Sequence, residues 1–339
     1  MEGMALSVGF NKLTLGGSMK FKIVIADDRY YPDYEAEQKV LAPLNAEVVT
    51  VQSNTASDIL NASRDADGLI VNLPPITSEI INGLEKCRII SRYGVGYDNV
   101  DVSTATEKGI WVANVPDYCG DDVSDQAMGL FLSCVRKVAQ RDRNIRAGIW
   151  DVKSTSPEYR IKDKTFVFFG YGMIARVVHR KLKGFELGRV LVYDPYVEDS
   201  IISDAGGEKV DLETALREGD YFSVHMPVTE KTQKMFNEVI FSKMKPTAIF
   251  INTSRGAVVD EKALYRALKE GWIDSAGLDV FEQEPISRDN PLLSLDNITL
   301  SDHVGFYTEE SMLELKTKAA QNVKEVLLGG KPTYPINKV

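Results

Sequence analysis

Short apolar runs alternate with amphipathic stretches along most of the chain. From Phe21 onward, runs rich in Val and Ile, such as IVIA at 23–26 and GLIV at 68–71, are separated by polar segments with periodic apolar residues. The runs are typical of buried strands and the periodic segments of helices. Their regular alternation predicts parallel sheets with helices on both faces. We therefore expect an α/β protein with two doubly wound lobes.

A break at Pro116 divides this pattern, and a second division is expected near Gly305. We predict a flavodoxin-like substrate-binding domain over residues 19–115 plus 306–339, and a Rossmann domain over 116–305, with a cleft between them. The last amphipathic helix, near 309–328, is expected to pack on the first lobe. A crossover helix is expected to begin at an Asp121 or Asp122 cap. Its apolar face would contain Val123, Ala127, Leu130, Cys134 and Val138.

Residues 165–196 carry the pattern of a dinucleotide-binding unit. A β-branched and aromatic run is followed by Gly170-Tyr171-Gly172-Met173-Ile174-Ala175, which fits G-x-G-x-x-G/A, and by helical spacing. A second strand ends at Asp194, 19 residues beyond Ala175, where a ribose-binding carboxylate is expected. Glycines let the backbone approach a pyrophosphate at the positive end of the helix dipole. With no Arg or Lys directly after Asp194, NAD is favoured over NADP.

Composition excludes several classes of protein. The 339 residues include 40 basic and 49 acidic side chains, a net charge of −9, which disfavours nucleic acid or an anionic membrane as partner. Three cysteines in no C-x-x-C pair indicate neither a disulfide framework nor a zinc site, so a cytoplasmic location is expected. No apolar run is long enough to span a membrane. Residues 1–18, which end in Gly-Gly-Ser, are interpreted as an added leader or a flexible arm, with an authentic extension left open.

Three charged residues follow predicted strands of the second lobe, at the sheet edge where α/β proteins bind ligands. They are Arg255 in NTSRG, Glu284 in GLDVFEQEP and His303 in LSDHVGF. Each alone also fits an ordinary role: a helix-start salt bridge, a solvated turn acid or a strand-end histidine. Together, beside the reactive end of a dinucleotide, they predict proton transfer and carboxylate binding.

The sequence resembles the D-isomer-specific 2-hydroxyacid dehydrogenase family over residues 20–335. The resemblance rests on RYGVGYDNVD at 92–101, GYGMIA with DPY, HMPVTEKT at 225–232, NTSRG, GLDVFEQEP and His303. It implies a homodimer that interconverts a 2-keto acid and a D-2-hydroxy acid with NAD. The segment HVGFYTEES is similar to the branch that contains the C-terminal-binding-protein corepressors and their bacterial enzyme relatives. The chain would be a short form, without the regulatory domain of long phosphoglycerate dehydrogenases.

The resemblance also implies a role for individual residues. His303 would be the general acid/base, Glu284 would stabilise its imidazolium form, and Arg255 would bind the substrate. Cofactor contacts are expected at Gly170, Tyr171, Gly172, Met173, Ile174, Asp194, His225, Met226, Thr253 and Asp279. Substrate contacts are expected at Val95, Gly96, Arg255 and Phe306.

Several alternatives stay open at this stage. The turn Gly94-Val95-Gly96 fits a plain strand-to-helix turn as well as a carboxylate-binding loop. Phe306 fits a core aromatic as well as an aromatic wall of the substrate pocket, and such a wall would favour a substrate with a larger apolar side chain. The protein could instead be an NAD(H)-sensing binding protein, or a dehydrogenase of a phosphorylated hydroxy acid that uses Arg29 or Arg92 as an extra cation.

Overall fold

The structure, a computed structural model, describes residues 12–13, 21–26, 33–53 and 55–339. Its strands are β1 Lys12–Leu13, β2 Phe21–Ala26, β3 Ala46–Val51, β4 Gly68–Val71, β5 Ile89–Arg92, β6 Trp111–Ala113, β7 Thr165–Phe169, β8 Arg189–Tyr193, β9 Glu208–Lys209, β10 Tyr221–Val224, β11 Ile249–Asn252, β12 Ser275–Leu278 and β13 Ile298–Leu300. Its α-helices are α1 Glu35–Leu41, α2 Ala56–Ser63, α3 Ser78–Gly83, α4 Val102–Glu107, α5 Gly120–Val135, α6 Val138–Arg146, α7 Met173–Leu182, α8 Asp199–Asp204, α9 Leu212–Glu218, α10 Glu238–Phe241, α11 Glu261–Lys269 and α12 Glu309–Leu327.

The chain forms two compact units. One comprises the residues up to Tyr118 together with Thr308–Val339, and the other is Cys119–Tyr307. The junctions fall beside the predicted boundaries at Pro116 and Gly305. Each unit has one sheet of its own, so the prediction of two α/β lobes is confirmed.

The first unit contains a sheet in the order β1-β3-β2-β4-β5-β6. Strands β2 to β6 are parallel and follow the flavodoxin order, as predicted. β1 departs from the parallel prediction, because Lys12 and Leu13 pair antiparallel with Val49 and Val48 at the edge of the sheet. The other residues of the leader predicted at 1–18 lie outside the described residues.

Helix α12 belongs to this first unit, although it lies far along the chain from the sheet. Thr308 caps it: its hydroxyl accepts the Ser311 N–H, and the Ser311 hydroxyl accepts the Thr308 N–H, which completes a capping box. The apolar face of the helix packs on α1, β4 and β5. The last helix therefore contributes to the core beneath the loop that follows β5.

The second unit contains seven parallel strands in the order β13-β12-β11-β10-β7-β8-β9. Strands β9, β8, β7, β10, β11 and β12 reproduce the Rossmann order 3-2-1-4-5-6. The order reverses between the neighbours β7 and β10, so their carboxyl ends form the crevice in which such sheets bind dinucleotides. The predicted Rossmann domain is confirmed.

The crossover helix differs from its prediction at both ends. α5 begins at Gly120 with Cys119 as N-cap, and Asp121 and Asp122 lie in its first turn, so the predicted aspartate cap is wrong. The helix ends at Val135 because Lys137 has a left-handed backbone, with φ 54°. Val138 consequently starts the separate helix α6 and is 57% exposed instead of lying on the buried face.

None of the helices in the described part of the chain combines the length and apolar character that a membrane span requires.

Candidate active site

The glycine turn after β7 has the backbone that a dinucleotide requires. Gly170 has a φ of 83°, and a Cβ there would lie 2.7 Å from the His225 carbonyl oxygen, so only glycine fits without strain. Gly172 caps α7 with extended backbone, and a Cβ there would meet no atom within 4 Å. Met173 begins the helix and is exposed, while Ile174 is half-buried. The helix N-terminus is therefore open to an anion.

Asp194 lies at the end of β8, next to this turn. One of its carboxylate oxygens accepts the Tyr171 N–H at 2.8 Å, and the other accepts the N–H groups of Tyr196 and Val197 at 2.8 and 3.1 Å. These three bonds fix the position of the carboxylate beside the glycine turn. A carboxylate has about four lone-pair sites, so it retains the capacity to accept a ribose hydroxyl.

Tyr171 has a different environment from the rest of the turn. Its side chain is fully buried, and its hydroxyl lies 2.6 Å from His179 Nδ1 on α7. Burial lowers the pKa of His179, so the ring is neutral at pH 7 and is a structural partner of Tyr171. Only the backbone of Tyr171 remains to contact a cofactor.

The strands beside the crevice supply the other expected cofactor residues. His225 follows β10, and its Nε2 lies 2.8 Å from the Ser223 hydroxyl. Burial lowers the pKa of His225 to about 3, so it takes no part in proton transfer at neutral pH. Met226 is buried beside it, and Thr253 follows β11. The buried Thr253 hydroxyl has no hydrogen-bond partner among the described residues, which fits a site where a bound group supplies one.

His303 and Glu284 are in direct contact. His303 Nδ1 lies 2.6 Å from a Glu284 oxygen, and the other Glu284 oxygen accepts the Phe281 N–H at 2.9 Å. Burial raises the pKa of the Glu284 carboxyl, but the bond to His303 and the nearby Arg255 guanidinium outweigh it and hold that pKa below its usual value. Each of the two side chains remains more than a third exposed. The pair can therefore hold and exchange a proton.

Arg255 lies on a turn held by Asn252, a fully buried residue at the end of β11. The Asn252 amide donates to the Arg255 carbonyl oxygen at 2.9 Å, and its oxygen accepts from the N–H and hydroxyl of Ser254. The adjacent Gly256 packs so closely that a Cβ would lie 1.9 Å from the Phe281 carbonyl carbon. This close packing places the turn that carries Arg255 beside the turn that carries Glu284. Since Glu284 also contacts His303, the structure brings together the three predicted catalytic residues.

Asp279 fixes the loop that carries His303. Its carboxylate accepts the Ser301 hydroxyl at 2.6 Å and the N–H groups of Val304 and Gly305 at 3.1 and 2.9 Å. The side chain is buried, so these bonds strongly constrain the loop. Its expected contact with the nicotinamide amide stays a prediction.

Phe306 is half-buried and stands edge-on to His303, with ring centroids 6.2 Å apart. It is therefore next to the His303–Glu284 pair and is not a core residue of the sheet.

Val95 and Gly96 belong to the first unit, in the loop after β5. The Val95 carbonyl oxygen accepts from the Asn114 side chain at 2.7 Å, and the Gly94 carbonyl oxygen accepts the Val115 N–H at 3.0 Å. No acceptor among the described residues binds the N–H of Val95 or of Gly96. Two adjacent free N–H groups in a fixed loop suit a carboxylate.

Comparison with known proteins decides the family. Residues 128–305 match the family model "D-isomer specific 2-hydroxyacid dehydrogenase, NAD binding domain". A glyoxylate reductase of Korarchaeum cryptofilum is 41% identical over 284 residues, which are 83% of this chain and 85% of that protein. The chain belongs to the D-isomer specific 2-hydroxyacid dehydrogenase family.

Two further relatives show the range of the family. A D-3-phosphoglycerate dehydrogenase of Methanocaldococcus jannaschii is 38% identical over 310 residues, which are 91% of this chain and 58% of that longer protein. The crystal structure of the D-lactate dehydrogenase from Aquifex aeolicus, complexed with NAD and lactic acid, superposes with a TM-score of 0.82 and 26% identity, covering 91% of this chain and 96% of the other. The protein is thus an NAD-dependent oxidoreductase of 2-keto and D-2-hydroxy acids, which confirms the predicted reaction class and cofactor.

Sequence reasoning missed the residues that hold the site in place. Asn252 and Asn114 were not selected, and Asp279 was assigned to the cofactor alone. The available signal was a polar residue at the end of a buried strand for Asn252, and directly after one for Asn114. Which backbone groups they bind depends on pairings between distant segments, which spacing does not show.

Proposed function

We propose that this enzyme reduces a small 2-keto acid with NADH, with His303 as the proton donor to the keto oxygen. The observation that carries the proposal is the 2.6 Å contact between His303 Nδ1 and Glu284. The carboxylate accepts a hydrogen bond from Nδ1, so Nε2 is the nitrogen that delivers the proton. In the reverse direction the same nitrogen accepts the proton of the hydroxy acid.

The cofactor site fits NAD on the contacts described above. Gly170, Gly172 and the first turn of α7 would hold the pyrophosphate, and Asp194 the adenosine ribose. The bound cofactor supplies the hydride. Asp194 also supports selectivity for NADH over NADPH, because a 2′-phosphate would place two anionic groups together.

Two groups are proposed as substrate contacts, each on its own unit: the N–H groups of Val95 and Gly96 on the first unit, and Arg255 on the second. The guanidinium offers a planar fork that matches a carboxylate or a keto acid. The positive charge of Arg255 also stabilises the negative charge that develops on the keto oxygen during hydride transfer. His303 then neutralises that oxygen by protonation.

Glyoxylate or a similarly small keto acid is the proposed substrate. The support is the position of Phe306, whose ring stands edge-on beside His303 and would limit the side chain that a keto acid can carry there. The name of the Korarchaeum cryptofilum relative agrees with this class.

A phosphorylated substrate is the second candidate, because the phosphoglycerate dehydrogenase is 38% identical. Of the two cations proposed for it, Arg29 lies outside the described residues and the Arg92 guanidinium packs against Gly94.

A homodimer is proposed because the segment 145–159 of the second unit exposes several large apolar side chains. Trp150 is 91% exposed and Val152 78% exposed, and exposed Ile145 and Tyr159 lie on either side of them in sequence. Exposed apolar groups concentrated in one segment of a globular unit mark an interaction surface. Sedimentation of the wild type and of Trp150→Glu tests this: the variant is expected to be monomeric, and a monomeric wild type would refute the dimer. A cytoplasmic location is proposed because the three cysteines are buried and form no disulfide bond among the described residues.

The decisive experiment is an NADH-oxidation screen over glyoxylate, hydroxypyruvate, pyruvate, phenylpyruvate and 3-phosphohydroxypyruvate, with NADPH in parallel. Glyoxylate or hydroxypyruvate should give the highest kcat/KM. Highest activity with phenylpyruvate would contradict the size limit at Phe306, and highest activity with the phosphorylated acid would favour the second candidate. Tight NADH binding without turnover of any keto acid would favour the NAD(H) sensor.

A further inference from the structure

The first unit contains a buried polar network that the reaction chemistry does not use. Glu37 on α1 is fully buried, and one of its carboxylate oxygens accepts the Tyr93 hydroxyl at 2.6 Å. Lys316 on α12 is also buried, with its ammonium 3.7 Å from the other Glu37 oxygen and 3.3 Å from an Asp33 oxygen. Burial raises the pKa of Glu37, which shows how unfavourable the site is for its charge.

Such a pair is a poor source of stability. Taking a carboxylate and an ammonium out of water costs as much as their attraction returns, and apolar residues of similar volume often stabilise a core equally well. What the pair provides is a fixed geometry. The group that it fixes is Tyr93, the residue immediately before Gly94.

A second tether runs from the same helix to the other side of the loop. The Asn322 side chain on α12 donates to the Asn114 carbonyl oxygen at 3.0 Å, and the Asn114 side chain donates to the Val95 carbonyl oxygen at 2.7 Å. Between the two tethers, the Ala319 carbonyl oxygen accepts the Ser91 hydroxyl at 3.0 Å. Lys316, Ala319 and Asn322 are spaced by three residues, so they lie along one face of α12.

We propose that α12 positions the Gly94–Gly96 loop through these two tethers, and thereby sets the affinity for the keto acid. Tyr93, Glu37, Lys316, Asn114 and Asn322 are positioning residues that act through the loop. The tethers hold the Tyr93 side chain before the loop and the Val95 carbonyl group within it, while the N–H groups of Val95 and Gly96 bind no acceptor among the described residues. A preorganised loop does not lose conformational entropy when the carboxylate binds.

The inference rests on the proposed role of Val95 and Gly96 as carboxylate contacts. The test therefore measures the mobility of the loop in the free enzyme and, separately, the KM for the keto acid. Tyr93→Phe removes one tether and Asn114→Ala the other, while Ser63→Ala removes a buried hydroxyl bond to the Ile59 carbonyl oxygen in α2 and serves as the control for lost stability.

Amide hydrogen exchange of the free enzyme is the first measurement. Exchange at Gly94 and Val115, whose N–H groups donate to the Arg92 and Gly94 carbonyl oxygens, should be about five- to tenfold faster in Tyr93→Phe and Asn114→Ala, because each variant loses a hydrogen bond that restrains the loop. The control should exchange there like the wild type. Unchanged exchange in both tether variants would overturn the inference.

Steady-state kinetics with glyoxylate and saturating NADH is the second measurement. The tether variants should raise KM by about five- to tenfold with kcat within about twofold of the wild type, since the binding that is lost is equal in the ground state and the transition state. A merely structural role would lower the melting temperature and leave KM unchanged. Equal losses of kcat and kcat/KM would count against the inference.

The Glu37 pair of variants separates hydrogen bonding from packing. Glu37→Gln keeps an acceptor for the Tyr93 hydroxyl and should keep KM near that of the wild type. Glu37→Leu loses the acceptor and should match Tyr93→Phe, with no further loss in the double variant. Additive losses in the double variant would refute a path through that bond.

Gly94→Ala distinguishes this inference from the proposed substrate role of the loop. Gly94 has a φ of 138°, which alanine rarely adopts, and a Cβ there would lie 1.5 Å from the end of the flexible Arg92 side chain, so alanine strains the backbone of the loop. A raised KM in this variant with an unchanged KM in the tether variants would refute the role of the tethers but not the role of the loop. An unchanged KM in Gly94→Ala would overturn the role of the loop itself.

Discussion

The backbone N–H of His303 donates to the Asp279 carbonyl oxygen at 2.8 Å, so the proposed proton donor is attached directly after the end of strand β12. The Asp279 side chain holds the two residues after His303 in the same way. Held on both sides, His303 adopts a left-handed backbone with φ 57°, which is uncommon for a residue with a side chain. The imidazole is thereby positioned beside Glu284 by backbone constraints, independently of substrate.

This backbone determines how His303 is best tested. Asn tolerates positive φ, whereas Ala adds strain to the loss of the ring, so His303→Asn is the cleaner variant. We expect kcat for keto-acid reduction to fall by roughly 10²- to 10⁴-fold, with the Kd for NADH unchanged. Fluorescence titration with NADH and steady-state kinetics measure the two. A kcat within tenfold of the wild type would contradict proton transfer by His303.

Removing the Glu284 charge should shift the pH dependence of the reaction. In the proposed mechanism keto-acid reduction requires a protonated His303 ring, whose positive charge a carboxylate 2.6 Å from Nδ1 attracts. In Glu284→Gln, the alkaline limb of the kcat/KM profile for keto-acid reduction should therefore move to lower pH. Glu282→Gln is the matched control, because Glu282 pairs with Lys234 on a neighbouring turn. An alkaline limb that stays in place in Glu284→Gln would show that the carboxylate does not set the protonation of the site.

The buried strands of both sheets, and the sheet edge at which the cofactor is expected to bind, could be predicted from the sequence. Periodicity identified the buried strands, and the glycine spacing with Asp194 identified the crevice, because both patterns are local consequences of backbone geometry. The residue at which α5 ends could not be predicted from periodicity. Lys137 has a left-handed backbone and forms a buried ion pair with Asp274, a residue 137 positions away. The helical spacing of Val138 gives no sign of that long-range contact.

Tyr171 illustrates the same limit within a recognised motif. The fingerprint places it among the cofactor contacts, yet its ring packs edge-on to Phe168 with centroids 5.8 Å apart, and its hydroxyl bonds His179. A motif specifies what the backbone does at each position. Where a variable side chain points depends on the core behind the turn.

Arg255 should be sensitive even to a conservative change. In Arg255→Lys the charge remains but the planar fork is lost, so we expect KM for the keto acid to rise about 10- to 100-fold with NADH binding unchanged. Arg266→Lys provides the control, since Arg266 is an exposed residue paired with Glu238 and Glu270. Identical KM values in the two variants would contradict a substrate contact at Arg255.

Asp101 predicts a pH dependence of stability in the first unit. Its carboxylate accepts the Ser103 hydroxyl and then the Thr104 N–H and hydroxyl, and these bonds lower the pKa of Asp101 to about 2. Because the folded pKa lies below the unfolded value of about 4, the ionised cap stabilises the fold above pH 4, and that contribution is lost as the pH falls toward 2. The difference in unfolding free energy between wild type and Asp101→Asn should be constant above about pH 5 and shrink below pH 4.

Chemical unfolding of both proteins at several values of pH between 3 and 7 measures this difference. Glu107→Gln removes a negative charge at the other end of the same helix and controls for net charge. A difference between wild type and Asp101→Asn that stays constant down to pH 3 would contradict the role of the ionised cap.

Asp194 should determine the choice between NADH and NADPH. Asp194→Ser removes the ribose acceptor and the repulsion of a 2′-phosphate, so the ratio of kcat/KM for NADH over NADPH should fall by at least about tenfold. The variant also deprives the Tyr171, Tyr196 and Val197 N–H groups of their acceptor, which would distort the turn for either cofactor. Measuring both cofactors in the same variant cancels that shared effect. Asp199→Ser, five residues further along and paired with Lys209, is the control for charge. A cofactor ratio that is equal in wild type and Asp194→Ser would exclude Asp194 as the selective residue, whatever the absolute loss of activity.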